Sequence, residues 1–297
     1  MANALSRVLH GAAHLAVWAG LYTTAATVCF TQTAGLSPIP PARVLTFAFC
    51  TASGVYLLDR IKLRDAWLDP ADQMAHPDRY HFLTSRSRSV RTLMFLLLLT
   101  ASLLGWNLWP QVPWLGVLAP TAACAGVLLY AARPRGRRPR PKDILLFKNL
   151  YVGAGITGFS TLVATAGHGL SNLRANPAWA AVAAVHLLIR VPADAVLCDL
   201  DDREADLAHG THTLPARLGR TRAWNWALAT RLILAAGLAA MACAPGAPRR
   251  ALLSWATVTA CSSIALRAAA PADLRDWVDA RFTLEALAAT LLILRPG

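Results

Sequence analysis

The sequence predicts an all-α membrane protein, a polytopic bundle of about nine transmembrane helices in one domain, residues 1–297. Of its 297 residues 56% are hydrophobic and 15% charged, and the mean hydropathy is +0.42, values that soluble domains rarely show. The apolar runs are continuous, whereas the strands of a membrane barrel would alternate. Nine runs approach the length of about 20 residues that a bilayer core requires: 11–31, 40–58, 92–109, 112–131, 145–167, 177–198, 223–243, 250–267 and 280–294.

The first and last spans need separate justification. Arg7 followed by an apolar run also fits a signal peptide, but nothing after it resembles a soluble mature domain, so 11–31 is interpreted as a spanning helix. Its polar and aromatic stripe is expected to face the bundle interior, because polar groups avoid lipid; the stripe is His10, His14, Trp18 and Tyr22. The last span, 280–294, is the shortest.

The basic residues predict the orientation of the spans. One set of connections, together with Arg7, carries 22 arginines and lysines, and the opposite side carries five. Positive loops stay in the cytoplasm, so we expect a bacterial cytoplasmic (inner) membrane with the N-terminus and four connections inside: 60–91, 132–148, 199–222 and 267–281.

The net charge of +13 does not indicate nucleic-acid binding, because the arginines lie between apolar segments and no separate basic domain exists. The six cysteines lie mostly inside apolar runs, and no CxxC pair occurs. They are interpreted as small buried residues rather than as metal ligands or disulfides.

Carboxylates follow the sixth span directly. Asp199, Asp202 and Asp206 are spaced i, i+3, i+7, so they share one face if the sixth helix continues through them. Oxygen ligands that meet in this way favour Mg²⁺, which bridges carboxylates to phosphate oxygens. Asp201 is expected to point elsewhere. The alternative is a solvated acidic loop without a ligand.

The residues after these acids complete the predicted site. Gly210 is expected to end the helix, and Pro215 prevents its immediate resumption. Arg217 and Arg220 follow, and their guanidinium groups suit a diphosphate.

This segment resembles a known family. Asp199-Leu-Asp-Asp202-Arg-Glu-Ala-Asp206, followed by Gly210, Thr213-Leu214-Pro215 and Gly219, is similar to the second Asp-rich motif of the UbiA superfamily of intramembrane enzymes. The resemblance implies nine transmembrane helices, two cytoplasmic Asp-rich motifs after the second and sixth spans, and an isoprenyl diphosphate as substrate. It covers the whole chain in layout but only this motif closely, and Cys198 stands where the family usually has Asn.

The first motif departs from the family pattern Asn-Asp-x-x-Asp-x-x-x-Asp. Asp59 stands in place of the Asn, and Arg60 in place of the first Asp. Leu63 and Trp67 occupy the next two Asp positions, and neither side chain binds a metal ion.

Shifted carboxylates remain as candidates in this motif. Asp59 and Asp65 are candidate Mg²⁺ ligands. Asp69, at i+4 from Asp65, is either a further ligand or the N-cap of a helix that begins at Pro70.

Three basic residues are candidates for diphosphate binding: Lys62, Arg79 and Lys148. Each is equally consistent with an anchor that extends its charge toward the membrane surface. Within the sixth span, Arg190 precedes Asp194 by four residues, which predicts either an intramembrane ion pair or a role in orienting the acids.

The residues and the resemblance together favour a Mg²⁺-dependent enzyme that ionises an isoprenyl diphosphate and transfers the prenyl group to an acceptor, expected to be a small aromatic molecule. The alternative is a terpene cyclase, in which the prenyl chain's own double bonds capture the cation. A third hypothesis is a lipid-binding or transport protein without catalysis. The expected partners are the substrate, the acceptor and the lipid bilayer, and no nucleic acid.

Overall fold

The computed structural model describes residues 11–63, 70–131, 144–145, 147–271 and 274–295. Within these ranges the regular structure is helical, and no strand occurs. His10 and the candidate ligands Asp65 and Asp69 lie outside the described residues, so their predicted roles stay predictions.

Twelve helices occur in the described residues. In chain order they are α1 Val17–Thr33, α2 Ala42–Ile61, α3 Pro70–Ala75, α4 Pro77–Ser85, α5 Ser87–Leu108, α6 Trp114–Ala131, α7 Phe147–Ala175, α8 Pro177–His209, α9 Leu214–Leu218, α10 Arg220–Met241, α11 Arg249–Ala269 and α12 Leu274–Leu294.

The nine long helices among these overlap the nine predicted spans. The first span, predicted from residue 11, differs most at its start: a turn interrupts it, Ala16 has φ 59°, and α1 begins at Val17 and has 17 residues. Four of the described helices are long and apolar enough to cross a membrane on length and composition alone: α2, α5, α8 and α11. Several other long helices carry more polar side chains. The prediction of an all-α polytopic membrane bundle is confirmed.

The long helices surround a shared core. α1 packs against α2, α7, α8 and α12, and α12 also contacts α8 and α11. Apolar side chains cover the outside: Leu129, Ile233 and Leu291 are each more than 70% exposed. An apolar exterior of this kind suits contact with lipid tails.

The α5–α6 pair shows why small residues occur inside the spans. A Cβ atom added to Gly105 would lie 2.4 Å from the carbonyl oxygen of Gly116, a distance that real Cβ atoms do not reach. The two helices therefore approach through bare backbone, as small-residue contacts between membrane helices allow.

Four helix termini meet at one end of the bundle, called here the motif end. α2 and α8 finish there, and α7 and α12 begin there, as the ion pairs described below show. The short helices α3 and α4, residues 70–85 and called here the cap, lie at this end, and α3 packs against α8.

Candidate active site

Helix α8 carries the second acidic motif. It runs unbroken from Pro177 to His209, past the predicted end of the span at 198, so the condition under which the three aspartates share one face is met. Gly210 ends it with φ 71°, a left-handed conformation that suits glycine. The backbone N–H of Thr211 then donates to the carbonyl oxygen of Asp206 at 2.9 Å.

Asp199 is the most deeply buried acid of the motif, with 2% exposure. Its Oδ1 accepts a hydrogen bond from Nζ of Lys148, at the start of α7, at 2.6 Å. Its Oδ2 is buried and has no hydrogen-bond partner among the described residues. An orphaned carboxylate oxygen is costly to bury, so this atom suits a cation as ligand.

Asp202 joins three elements at the motif end. Its Oδ1 lies 2.7 Å from Nε2 of His76, which precedes α4 in the cap, and its Oδ2 pairs with Nη2 of Arg275 in α12. Burial lowers the pKa of His76, while the hydrogen bond to Asp202 acts in the opposite direction. Both oxygens of Asp202 are therefore engaged by protein groups in this structure.

Asp206 and Asp201 have different surroundings. Oδ2 of Asp206, a buried residue, accepts from the hydroxyl of Thr213 at 3.0 Å. Oδ2 of Asp201 instead accepts from the backbone N–H of Arg275 at 2.9 Å, in the first turn of α12. Asp201 thus satisfies a helix-terminal N–H that has no partner within its own helix.

Two residues of the first motif, Asp59 and Lys62, form an ion pair with each other. Nζ of Lys62 lies 2.5 Å from Oδ1 of Asp59, whose side chain is 42% exposed. Lys62 ends α2 with φ 54° and ψ 176°, a conformation that residues other than glycine rarely adopt. Its carbonyl oxygen accepts a hydrogen bond from Nε of Arg91 at 3.2 Å.

The remaining basic candidates lie in two places. Arg79 is buried in the cap, with Nη2 4.0 Å from Oδ1 of Asp72. Arg217 and Arg220 are exposed beyond α8, and no hydrogen bond or ion pair joins either to the motif aspartates among the described residues.

The structure therefore pairs Asp199 with Lys148 and Asp59 with Lys62. Each of these acids has its own basic partner. Among the described residues, no three His, Cys, Asp or Glu side chains form a group that could hold a metal ion. Sequence reasoning missed His76 and Arg275. They lie 126 and 73 residues from Asp202 in the chain, and no local spacing signals either contact.

A second group of charges, called here the core network, lies inside the bundle. It comprises the buried residues Arg190, Asp194, Arg231, Arg281 and Glu285, from α8, α10 and α12. Asp194 pairs with all three arginines, with Nη2 of Arg281 at 2.7 Å from Oδ1, and Glu285 pairs with all three as well. The predicted Arg190–Asp194 ion pair is confirmed, at 3.6 Å, as part of this larger group.

Neutral side chains extend the core network. Tyr22, from the stripe predicted to face the interior, is buried and donates its hydroxyl hydrogen to Asp194 at 2.9 Å. The guanidinium of Arg190 lies 3.8 Å from the ring centroid of Phe282, a cation–π contact. Nη1 of Arg281 is buried without a hydrogen-bond partner in the described part of the chain.

Comparison with known proteins identifies the fold. No protein-family model and no curated protein matches the sequence. A UbiA homolog from Archaeoglobus fulgidus is 16% identical in an alignment that covers 97% of this chain and 95% of that one, with a TM-score of 0.53.

A second solved structure, of a digeranylgeranylglyceryl phosphate synthase in membranes, is 12% identical over 94% of this chain and 97% of that one. Its TM-score of 0.48 is too low to carry further weight. The archaeal likeness shows the fold alone, since one fold hosts many functions. It confirms at that level the resemblance indicated by the Asp-rich motif: the chain is a membrane protein with the UbiA fold.

Proposed function

We propose that the protein is an intramembrane prenyltransferase that ionises an isoprenyl diphosphate at the motif end and transfers the prenyl group to an aromatic acceptor. The observation that carries the proposal is the arrangement on α8. Asp199 has a buried carboxylate oxygen with no hydrogen-bond partner among the described residues, and Asp202 and Asp206 follow on the same helical face. The UbiA fold, with 16% identity to its archaeal relative, supports the setting but not the reaction.

The donor atoms fit Mg²⁺, the cofactor proposed for this site. In Asp199, Oδ2 has no hydrogen-bond partner among the described residues and would bind the cation. In Asp206, Oδ2 accepts the hydrogen bond from Thr213, so Oδ1 would bind the cation. Mg²⁺ usually keeps several waters and takes only one or two carboxylates together with substrate phosphates, so a protein-only cage of three acids is not required. When bound, Mg²⁺ would neutralise charge on the departing diphosphate. Asp59, Asp65 and Asp202 remain proposed further ligands.

The basic residues would bind and orient the diphosphate. Lys148 already lies against Asp199, and Arg275 lies against Asp202, so both cations stand beside the acidic face. When a diphosphate enters, Lys148 and Arg275 would donate to its oxygens, and the carboxylates of Asp199 and Asp202 would then be available to hold the metal ion. Arg79 and Lys62 are proposed to contribute from the other side of the motif end, and Arg217 and Arg220 from the exposed connection.

The apolar side chains below the cap would exclude water from the allylic cation. A buried cluster joins the cap, through Leu83, to the end of α2 and the start of α5; its members include Leu57, Leu58, Ile61, Leu83 and Val90. Such a wall suits an isoprenyl chain, and a dry surrounding keeps the cation from reacting with water. Once the allylic C–O bond has broken and diphosphate has left, an aromatic carbon of the acceptor forms the new C–C bond with the cation, and its proton passes to the released diphosphate. We propose that this end faces the cytoplasm.

Cyclisation is the second candidate, favoured by the first motif. Arg60 replaces an aspartate of the family pattern there, which suits an enzyme that has departed from the usual reaction. The cation would then be captured by a double bond of its own chain, and loss of a proton or addition of water would complete the product.

Product analysis tests the proposal. Purified protein is incubated with geranylgeranyl diphosphate and Mg²⁺, with and without 4-hydroxybenzoate or a dihydroxynaphthoate, and diphosphate release is followed with the organic products. Transfer predicts a prenylated aromatic product that requires the acceptor, whereas a cyclic hydrocarbon or alcohol without acceptor indicates the cyclase. No diphosphate release from geranyl, farnesyl or geranylgeranyl diphosphate, with or without an acceptor, contradicts both and favours a non-catalytic lipid-binding or transport role.

A further inference from the structure

Arg60 occupies a position at which the family pattern has a metal-binding aspartate. It lies in the last turn of α2, and its Nη1 donates to the carbonyl oxygen of Ala13 at 2.8 Å. This contact holds one edge of the guanidinium in place. A cation fixed at this position repels a metal ion and attracts an anion.

A pocket opens beside this guanidinium, between the end of α2 and the cap. Two guanidinium groups and a single carboxylate line it, together with apolar and hydroxyl side chains: Arg60, Asp72, Arg79, Tyr80, Leu83 and Thr84. The charged groups of the lining thus carry a net positive charge.

The carboxylate in the pocket is loosely held. Oδ1 of Asp72 lies 4.0 Å from Nη2 of Arg79, which is too far for a hydrogen bond. The side chain of Asp72 is 42% exposed, whereas that of Arg79 is 10% exposed. Asp72 can therefore turn outward to solvent and leave its place to another anion, while Arg79 cannot leave the pocket.

Charges of both signs surround the pocket: Asp279 acts on Arg60 and Asp202 on Arg79, and the guanidinium of Arg275 acts on both arginines. Burial and the neighbouring guanidinium groups of Arg60 and Arg275 lower the pKa of Arg79 to about 9, while Asp72 and Asp202 act in the opposite direction. Arg79 thus remains charged at neutral pH. Three guanidinium groups share this corner of the motif end, and Arg275 alone among them pairs with a motif aspartate in the described residues.

We propose that Arg60 and Arg79 form an anion subsite that binds a phosphate group of the substrate directly, where the family pattern places a metal-binding aspartate. The subsite rests on the proposed function for the identity of its ligand, a diphosphate. Guanidinium groups bind phosphate oxygens with paired, charge-assisted hydrogen bonds. The position of Arg60 is thereby converted from a metal-binding one into an anion-binding one, while Asp59 beside it stays a proposed Mg²⁺ ligand. The pocket is narrow, so binding displaces the Asp72 side chain outward.

Binding of inorganic pyrophosphate without a metal ion tests the subsite. Isothermal titration calorimetry is performed on the full chain in detergent, in the presence of EDTA. The wild type is expected to bind pyrophosphate, and Arg60→Gln and Arg79→Gln are each expected to weaken binding by about tenfold or more, the effect of losing a charged hydrogen bond. Arg88→Gln, which removes an exposed arginine just beyond the cap, is the matched control and should change affinity less than about twofold.

Two results would overturn the subsite: no pyrophosphate binding by the wild type in EDTA, or unchanged affinity in both pocket variants. Arg79→Lys, which keeps the charge, serves if Arg79→Gln does not fold, and it should retain part of the affinity. Displacement of pyrophosphate by phosphatidylglycerol added to the micelles would assign the pocket to a lipid headgroup and also overturn it. Turnover of geranylgeranyl diphosphate with Mg²⁺ is measured separately, so failure of the proposed reaction and failure of the subsite give different patterns.

Discussion

The bundle contains two networks of arginines and carboxylates, and they differ in how their charges are satisfied. In the core network, Asp194 and Glu285 each pair with three arginines, and every member is buried. At the motif end, Asp199 and Asp202 each pair with a different cation, and Asp199 keeps a free carboxylate oxygen in the described part of the chain.

The difference separates a structural role from a ligand-binding one. The core network joins α8, α10 and α12 to one another and, through Tyr22, to α1. A ligand could therefore replace these ion pairs only if the helices of the bundle separated. The pairs at the motif end join helix termini and the cap, and the side chains of Lys148 and Arg275 are 23% and 20% exposed. Those cations can move from a carboxylate to a phosphate without disturbing the packing below.

The largest expected effect is on stability, from a change in the core network. Glu285→Gln removes one of two carboxylates that balance three buried arginines, and breaking a buried ion pair costs about 3–5 kcal/mol. We expect loss of the monodisperse peak in size-exclusion chromatography and a large fall in unfolding temperature. Glu204→Gln, at an exposed position of α8, is the control. A Glu285→Gln protein that folds and unfolds like the wild type would contradict the structural role of the core network.

Asp202→Asn should lower turnover strongly with a small effect on folding. It removes the charge that Arg275 and His76 share at the motif end. Asp202 is a proposed ligand of the metal ion that would stabilise the departing charge, and loss of such stabilisation lowers turnover by about 100-fold. Diphosphate release per folded protein measures turnover, and the unfolding temperature measures the effect on folding. Collapse of folding equal to that of Glu285→Gln would contradict the distinction between the networks.

Asp59→Ala should reduce turnover less than Asp202→Asn. Asp59 pairs with Lys62 at a side-chain exposure of 42%, so its removal costs little stability. If it is a Mg²⁺ ligand alongside Asp199, a loss of about tenfold and a higher Mg²⁺ requirement are expected. A titration of turnover against Mg²⁺ concentration tests this, and an unchanged curve would remove Asp59 from the proposed ligands.

The smallest expected effect belongs to Asp201→Ala. Its carboxylate accepts a hydrogen bond from the first turn of α12, and loss of a helix cap costs about 1 kcal/mol. Turnover per folded protein should stay close to the wild-type rate, because Asp201 caps α12 and is not among the proposed Mg²⁺ ligands. Asp201→Ala and Asp202→Ala compared side by side show whether position on the helical face matters. Equal losses of turnover would contradict it.

The sequence predicted the layout well because hydrophobic length alone determines where helices can span. The nine spans follow from run length, and the end of α8 at Gly210 follows from the conformation that glycine favours. The core network was predicted only through Arg190 and Asp194, because they lie four residues apart in one helix.

The long-range partners were not predictable in this way. Arg231 is an isolated charge in the seventh span, and Arg281 and Glu285 stand four residues apart around the start of the last one. Charges inside apolar helices signal a buried partner, and this signal could have linked Arg231 to the α12 pair. His76 and Arg275 lie in connections, where charged residues are ordinary, so nothing local distinguishes them from solvent-exposed residues.

The most direct test of the reaction site is the rate of diphosphate release from geranylgeranyl diphosphate by Asp199→Asn, measured per folded protein at saturating Mg²⁺. Because Asp199 holds the orphaned carboxylate oxygen, we predict a loss of at least about 100-fold with the bundle still folded. Release at the wild-type rate by the folded variant would contradict the account.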